Sequence, residues 1–255
     1  MSNFAAMIAV STTLLAGTAA AEEANPTIVL VHGAFADSSS WNGVVNHLRK
    51  DGYKTIAVAN PLRSVSTDAS FVSDILANIE GPVVLVGHSY GGQVISNVVN
   101  KHDNVKSLVY VAAFAPDTGE AAADLAGKFR GGTLSEALAP PVRLAGGGID
   151  LYIDQAKFHD QFAHDLSPED AALMAVTQRP ITEAALAEKS RDPAWKSLPS
   201  YFVYGDSDKN IPAEALGFMA ERAGSRRTVV VKGASHVVMV SKPGIVAELI
   251  VNAAN

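Results

Sequence analysis

Residues 82–91 read Pro82-Val-Val-Leu-Val-Gly-His-Ser-Tyr-Gly91, and this stretch decides the fold. Its first half is apolar and predicts a short buried strand, while residues 93–100, which follow it, favour a helix. A G-x-S-x-G pentapeptide between a strand and a helix is typical of a nucleophile elbow, a turn so sharp that the serine is strained and its Oγ exposed. Gly87 and Gly91 are expected there because a Cβ at either position would clash with neighbouring backbone. The pentapeptide alone arises by chance in about one chain of this length in ten, so its context must support it.

The composition predicts a globular chain without nucleic-acid partners. The 255 residues are 48% hydrophobic and 18% charged, which is enough apolar material for one large core. The net charge is −6, and no cluster of lysine and arginine appears, so a nucleic-acid partner is not expected. The absence of cysteine excludes disulfides, thiol catalysis and cysteine-ligated metals.

The N-terminus is typical of a secretory signal. Residues 1–21 carry no charged side chain and end in Ala19-Ala20-Ala21, which matches an A-x-A cleavage site. A basic residue near the start is missing, and the alternative is an N-terminal extension that is retained. We therefore expect export to the periplasm or medium after cleavage, and otherwise a cytoplasmic protein. No other segment is long enough to span a membrane, so stable membrane insertion is not expected.

Beyond residue 27, short apolar runs alternate with amphipathic stretches. The expected strands are 27–32, 54–58, 83–86, 105–111, 201–204 and 228–231, and the expected helices are 41–50, 66–79, 93–100, 212–223 and 243–251. Ser38, Ser39 and Ser40 are candidate N-caps for the first helix. Strands that are apolar on both faces belong in a parallel sheet covered by helices. The fold class is therefore α/β, a mostly parallel sheet with helices on both faces.

Residues 116–198 break this alternation. They contain Gly131-Gly132, Pro140-Pro141 and several helical patches, of which the clearest begins at Ser167-Pro168 with an N-cap and a proline in the first turn. Because the flanking strands continue one pattern, we expect a helical cap inserted into a core formed by residues 27–115 and 199–255. The alternative is a separate small domain.

Three residues in separate loops could form a nucleophilic site. A serine needs a base to take its proton and a third group to orient that base. Ser89 is followed along the chain by Asp208 and His236, each just past a predicted strand, where loops meet at the carboxyl edge of a parallel sheet. Asp206 is a rival for Asp208 but suits a turn residue. Ser89 could instead be a helix N-cap, and His236 an ordinary surface histidine.

The loops also suggest donors for a developing oxyanion. One donor is the backbone N–H of Tyr90, the residue after the nucleophile. The other is expected from the loop after the first strand, where Ala34 is favoured over Phe35 and Gly33 permits close approach.

The remaining histidines and aromatic residues are weaker candidates. His32 and His88 flank the site and are expected to brace loops. His159-Asp160 and His164-Asp165 could suggest a metal, but no further ligand set appears, so no metal is expected. Two or three of the aromatic residues are expected to face the site and the others to be core: Phe35, Trp41, Phe114, Tyr152, Phe158, Phe162 and Trp195.

With these residues in view, the chain from residue 27 onward resembles the α/β-hydrolase superfamily, whose triads follow the chain order Ser, Asp, His. Residues 109–117 and 235–243 are similar to the branch that holds plant methylesterases and hydroxynitrile lyases. That branch implies an enzyme without a cofactor, with a helical cap and small ester or cyanohydrin substrates. The lyases carry threonine where Gly33 stands and lysine where Val237 stands, so the esterase reading is favoured.

The resemblance and the ordered residues together predict a serine esterase acting on a small-molecule ester; nothing indicates an oligomeric state. One alternative is different chemistry on the same triad: perhydrolase or haloperoxidase-like activity, lactone hydrolysis or carbon–carbon hydrolysis. The other is a ligand-binding protein without activity on the same fold.

Overall fold

The computed structural model describes residues 25–98 and 102–255, and a six-stranded parallel sheet lies at its centre. The strands are β1 (Thr27–Val31), β2 (Thr55–Val58), β3 (Val83–His88), β4 (Val105–Val111), β5 (Val142–Arg143), β6 (Ile149–Leu151), β7 (Ile181–Thr182), β8 (Ser200–Gly205) and β9 (Arg227–Val231). The central sheet has the order β2-β1-β3-β4-β8-β9. All six predicted strands are confirmed, with ends within two residues of the expected ones.

The central strands are buried because they are apolar on both faces. β1 and β3 lie side by side with Val31 opposite Gly87, and every residue of both strands is buried. β3 continues two residues beyond the predicted strand, as far as His88. The nucleophile candidate Ser89 therefore follows directly at the carboxyl edge of the sheet.

Helices cover both faces of this sheet. They are α1 (Asn42–Lys50), α2 (Val65–Leu76), α3 (Tyr90–Val98), α4 (Ala122–Lys128), α5 (Leu134–Ala137), α6 (Gln155–Phe162), α7 (Pro168–Thr177), α8 (Glu183–Ala187), α9 (Ala213–Arg222), α10 (Val238–Ser241) and α11 (Pro243–Ala254). From β1 the chain passes to β2 at one edge of the sheet and then returns to β3 on the other side of β1. Right-handed crossovers therefore place α1 on one face of the sheet and α2 and α3 on the other. α11 packs against α1 and against β4 and β8, so it shares the face of α1.

The start of the first helix differs from the expectation. Ser38, Ser39 and Ser40 do not cap α1; they belong to a 3₁₀ turn at Ser38–Trp41. Asp37 caps that turn by accepting a hydrogen bond from the Ser39 N–H at 2.7 Å. A carboxylate acceptor is available one residue earlier than the serines, and the chain uses it.

The segment between β4 and β8, called the insert below, holds α4 to α8. The cap at Ser167 is confirmed, since its side chain accepts a hydrogen bond from the Asp170 N–H. The insert also contains a small antiparallel sheet of β5, β6 and β7, which the sequence did not predict. The Arg63 guanidinium ties the insert to the core through the Asp150 carboxylate at 2.6 Å.

Two expectations concern residues outside the described ranges: the secretory signal in residues 1–21 and the last two residues of the predicted helix 93–100. The division into a core and a cap stays a prediction. None of the helices in the described ranges has the length and apolar character that crossing a bilayer requires.

Candidate active site

The serine of the pentapeptide sits in a strained turn between β3 and α3. Its backbone has φ = 53°, in the left-handed region that residues with a Cβ seldom adopt. Hydrogen bonds from the Ser89 N–H to Val111 and from the Phe114 N–H to Ser89 hold the turn against β4. A Cβ at Gly87 would lie 2.6 Å from the Gly91 carbonyl oxygen, and one at Gly91 2.4 Å from the Val31 carbonyl oxygen. The expected requirement for glycine at both positions is confirmed.

Asp208 and His236 meet in a buried hydrogen bond. The His236 Nδ1 donates to the Asp208 carboxylate at 2.7 Å, and both side chains are almost fully enclosed. The other carboxylate oxygen of Asp208 accepts from the N–H groups of Asn210 and Ile211. These bonds leave the His236 Nε2 as the ring atom able to accept a proton.

The rival Asp206 has a different role in this loop. It is exposed, and its carboxylate accepts a hydrogen bond from the Gly233 N–H at 2.6 Å. Asp206 therefore joins the loop after β8 to the loop after β9, while Asp208 contacts the histidine.

His88 brings the serine and histidine segments together. Its ring lies 4.8 Å from the ring of His236, and its Nε2 donates to the His236 carbonyl oxygen at 3.1 Å. Burial lowers the pKa of His88 well below its ordinary value, so the ring is neutral. Within residues 25–98 and 102–255, no hydrogen bond joins the Ser89 Oγ to His236. The two loops are adjacent, and among the described residues the Ser89 Oγ has no hydrogen-bond partner.

The loop after β1 lies against the serine, because Gly33 has no side chain. A Cβ at Gly33 would lie 2.5 Å from the Ser89 Cβ and 3.2 Å from its Oγ. The Phe35 N–H donates to the Arg179 carbonyl oxygen of the insert at 2.9 Å, so it is already occupied. Among the described residues, the Ala34 N–H has no hydrogen-bond partner. The N–H of Tyr90, at the first position of α3, likewise lacks an acceptor within its helix.

His32 braces the same loop, as expected. Its Nε2 accepts a hydrogen bond from the Asn60 N–H at 3.0 Å, so its Nδ1 carries the proton and donates to the Gly33 carbonyl oxygen at 2.9 Å. Burial lowers the pKa of His32 to about 4, against the opposing effect of the Gly33 carbonyl. The ring is therefore neutral near pH 7, and a neutral ring is what this pair of bonds requires.

A cavity of about 550 Å³ opens above Ser89. It is bounded by the loop after β1, by the turn at Ser89, and by α4 with the loop that follows it. Of the aromatic candidates, Phe35 and Phe114 line it, while Trp41, Phe158 and Phe162 are core. Phe129, at the end of α4, also lines the cavity and was missed by sequence reasoning, because it lies in a segment without clear periodicity.

A buried carboxylate beside Tyr90 was also missed. The Tyr90 hydroxyl donates to Asp68 of α2 at 2.9 Å, and the Arg63 N–H donates to the same carboxylate. Burial raises the pKa of Asp68, and these hydrogen bonds partly oppose the shift. Burial and the neighbouring Asp68 raise the pKa of Tyr90 as well. Tyr90, the residue after Ser89, is therefore anchored at its side chain by α2.

The histidines of the two His-Asp pairs, His159-Asp160 and His164-Asp165, bond to backbone carbonyl groups. The His159 Nε2 donates to the Leu166 carbonyl and the His164 Nε2 to the Ser207 carbonyl. Across the part of the chain that the structure describes, no group of three or more histidine or acidic residues has the arrangement of a metal site.

Comparison with known proteins identifies relatives of this chain by sequence. The model of the alpha/beta hydrolase family matches residues 28–249. The salicylic acid-binding protein 2 of Nicotiana tabacum is 26% identical over 84% of this chain and 92% of its own length. Methylesterase 1 of Arabidopsis thaliana is 26% identical over 87% of this chain and 93% of its own length.

One solved structure combines similar fold and sequence. It is an extracellular alpha/beta-hydrolase from a Paenibacillus species, described as sharing structural and functional homology with the tobacco salicylic acid binding protein 2. It superposes with a TM-score of 0.74 at 25% identity, over 90% of this chain and 99% of the other.

Proposed function

Because the chain belongs to the alpha/beta hydrolase family, we propose that it is a serine esterase that cleaves small or medium carboxylic esters through an acyl-enzyme. The observation that carries this proposal is the strained Ser89, with its Oγ against Gly33 at the floor of an apolar cavity. The similarity to a protein named as a methylesterase supports an ester as substrate.

The proposed first step is attack by the Ser89 Oγ on the acyl carbon. The serine side chain rotates so that His236 Nε2 accepts its proton, a contact that tightens when substrate binds. Asp208 keeps the proton of His236 on Nδ1 and stabilises the imidazolium that forms. His236 then protonates the departing alcohol.

The oxyanion is held by the N–H groups of Ala34 and Tyr90. Each such donor contributes about 3–4 kcal/mol to transition-state stabilisation when it is held in place beforehand. His32 and Asp68 supply that support, since His32 bonds to the Gly33 carbonyl and Asp68 to the Tyr90 hydroxyl. Water then attacks the acyl carbon of the acyl-enzyme with His236 as the base. The bond to the Ser89 Oγ breaks, the Oγ takes the proton back from His236, and the carboxylic acid leaves; no cofactor takes part.

The test is hydrolysis of p-nitrophenyl acetate by Ser89→Ala. We expect kcat to fall at least ~10³-fold, because the covalent step is removed. The control is Ser70→Ala, which removes the hydroxyl of an exposed serine of α2 and is expected to keep the parent rate. Equal rates in Ser89→Ala and the parent would overturn the proposal.

Two further assays separate ester hydrolysis from the alternatives. Failure of a fluorophosphonate to label Ser89, together with no turnover of any ester, would instead support a binding protein. Faster turnover of lactones, or of peroxide with acetate, than of esters would support other chemistry on the same triad.

We also propose that the protein is exported. The support is the sequence of residues 1–21 together with the similarity to a hydrolase described as extracellular. Mass spectrometry of protein made in a secreting bacterial host is expected to find Glu22 as the first residue. Ala19→Leu should block this processing and Ala20→Leu should permit it. An unprocessed parent chain in the cytosolic fraction would contradict the proposal.

A further inference from the structure

The cavity above Ser89 contains one charged side chain. Its lining is mostly alanine, glycine, phenylalanine and leucine, and the single ionised side chain among the lining residues is Arg130. The other polar groups are neutral, and one of them, the Tyr90 hydroxyl, is already bonded to Asp68. An ester in this cavity therefore meets apolar walls and one cation.

The Arg130 side chain has no partner among the described residues of the protein. It is exposed, and it makes no hydrogen bond or ion pair with any residue in the described ranges. The neighbouring cations differ: Arg222 pairs with Glu120, Lys189 with Asp124, and Lys128 lies over the ring of Phe218. The Glu120 and Asp124 carboxylates are thus engaged by other cations, and the Arg130 guanidinium keeps its donors free.

The backbone that carries Arg130 is anchored on both sides. The Asp124 carboxylate accepts from the Ala121 N–H and so caps the start of α4. After Arg130, the Thr133 N–H donates to the Lys209 carbonyl at 2.9 Å. The backbone at Arg130 is consequently held beside the cavity, and the exposed side chain is able to adjust to a ligand.

We propose that Arg130 makes the enzyme selective for esters whose acyl group ends in a carboxylate, that is, half-esters of dicarboxylic acids. A guanidinium binds a carboxylate through two parallel hydrogen bonds, which gives the contact both strength and direction. The methylene chain between the two ends of such a substrate packs on the apolar lining. The net charge of −6 repels anions at long range, so the selectivity is local to Arg130. This inference rests on the proposed esterase function.

The experiment compares monomethyl adipate with methyl hexanoate, which differ by the terminal carboxylate, and follows acid release at constant pH. The measured quantity is the ratio of the two kcat/KM values, which does not depend on the fraction of folded enzyme. Arg130→Gln is expected to lower this ratio about tenfold, the size of one charge-assisted hydrogen bond. Arg130→Lys keeps the charge without the planar fork and is expected to lower it less.

The matched control is Arg143→Gln. Arg143 is also an exposed arginine of the insert, in β5, and does not line the cavity, so the ratio should keep its parent value. An unchanged ratio in Arg130→Gln, with methyl hexanoate still hydrolysed, would overturn the inference and leave the esterase intact. If the parent enzyme hydrolyses neither ester, nor p-nitrophenyl acetate, it is the proposed function that fails.

Discussion

At the scale of single residues, Asp208 uses both carboxylate oxygens. One accepts from His236, and the other accepts from two backbone N–H groups in its own loop. An amide at this position keeps the size of the side chain but cannot accept at both oxygen sites. The histidine would then meet an N–H donor or adopt the other tautomer.

Asp208→Asn is therefore expected to lower kcat for p-nitrophenyl acetate about 10³- to 10⁴-fold. The matched control is Asp206→Asn, which alters a carboxylate two residues away that bonds to the Gly233 N–H. We expect that variant to retain most of the activity. Similar losses in both variants, measured on protein of equal thermal stability, would argue against Asp208 as the orienting acid.

At the scale of secondary-structure elements, α2 and α3 are joined through the Tyr90 hydroxyl and the Asp68 carboxylate. Asp68 lies in the first turn of α2 and is completely buried. A carboxylate in that position depends on its donors, because a buried charge without them is costly. The strained turn at Ser89 is thus supported from a neighbouring helix as well as from β4.

Tyr90→Phe removes one of those donors. We expect the free energy of unfolding in urea at pH 7 to fall by about 2 kcal/mol, within the range for hydrogen bonds to charged groups. Tyr110→Phe is the control, since it breaks a buried hydroxyl pair with Ser96 that carries no charge. Its loss should be about 1 kcal/mol.

The pH dependence separates the two variants further. The pKa of Asp68 is raised by burial, so this group becomes protonated early as the pH falls, and the missing donor then matters less. The deficit of Tyr90→Phe should shrink between pH 7 and pH 4, whereas that of Tyr110→Phe should stay constant. A constant deficit in both would contradict the role given to Asp68.

At the scale of the whole molecule, two buried neutral histidines make stability depend on pH. Burial lowers the pKa of His32 to about 4 and that of His88 well below its ordinary value. The unfolded chain takes up protons at these rings near pH 6.5, while the folded chain does not. The stability that the folded state gains from these neutral rings is present above about pH 6.5. It is lost as the pH falls toward the pKa values of the folded state.

The free energy of unfolding is expected to fall by about 3 kcal/mol between pH 6.5 and pH 4 through His32 alone. Asp68 acts in the opposite sense, because its raised pKa stabilises the folded state as it becomes protonated. Urea titrations across this range should give a flatter profile for His32→Gln than for the parent. His47→Gln, at an exposed position of α1, should keep the parent slope. Equal slopes in all three would refute the assignment.

The central sheet and the loops of the candidate site could be predicted from the sequence, because the patterns that indicate them are strong and local. Apolar strands predict the sheet, and the loops that follow them predict where Ser89, Asp208 and His236 lie. The strands of the insert are two or three residues long, too short to show alternation. Asp68 precedes Tyr90 by 22 residues, and a lone acidic residue in a helix resembles a solvent-facing one.

The prediction that one of the three serines before α1 is its N-cap is wrong, because Asp37 is the better acceptor and caps the turn that contains them.

The bond from the Phe35 N–H to the Arg179 carbonyl has a consequence for how such enzymes diversify. It joins the loop after β1, part of the proposed catalytic site, to the insert, whose residues line the cavity above Ser89, backbone to backbone. Side chains at position 179 can therefore change freely, but the path of the chain there cannot. Exchanging the whole insert for that of a relative would alter turnover together with selectivity, unless the transplanted segment presents a carbonyl at the same point. In this protein, an exchanged insert must therefore preserve that backbone junction.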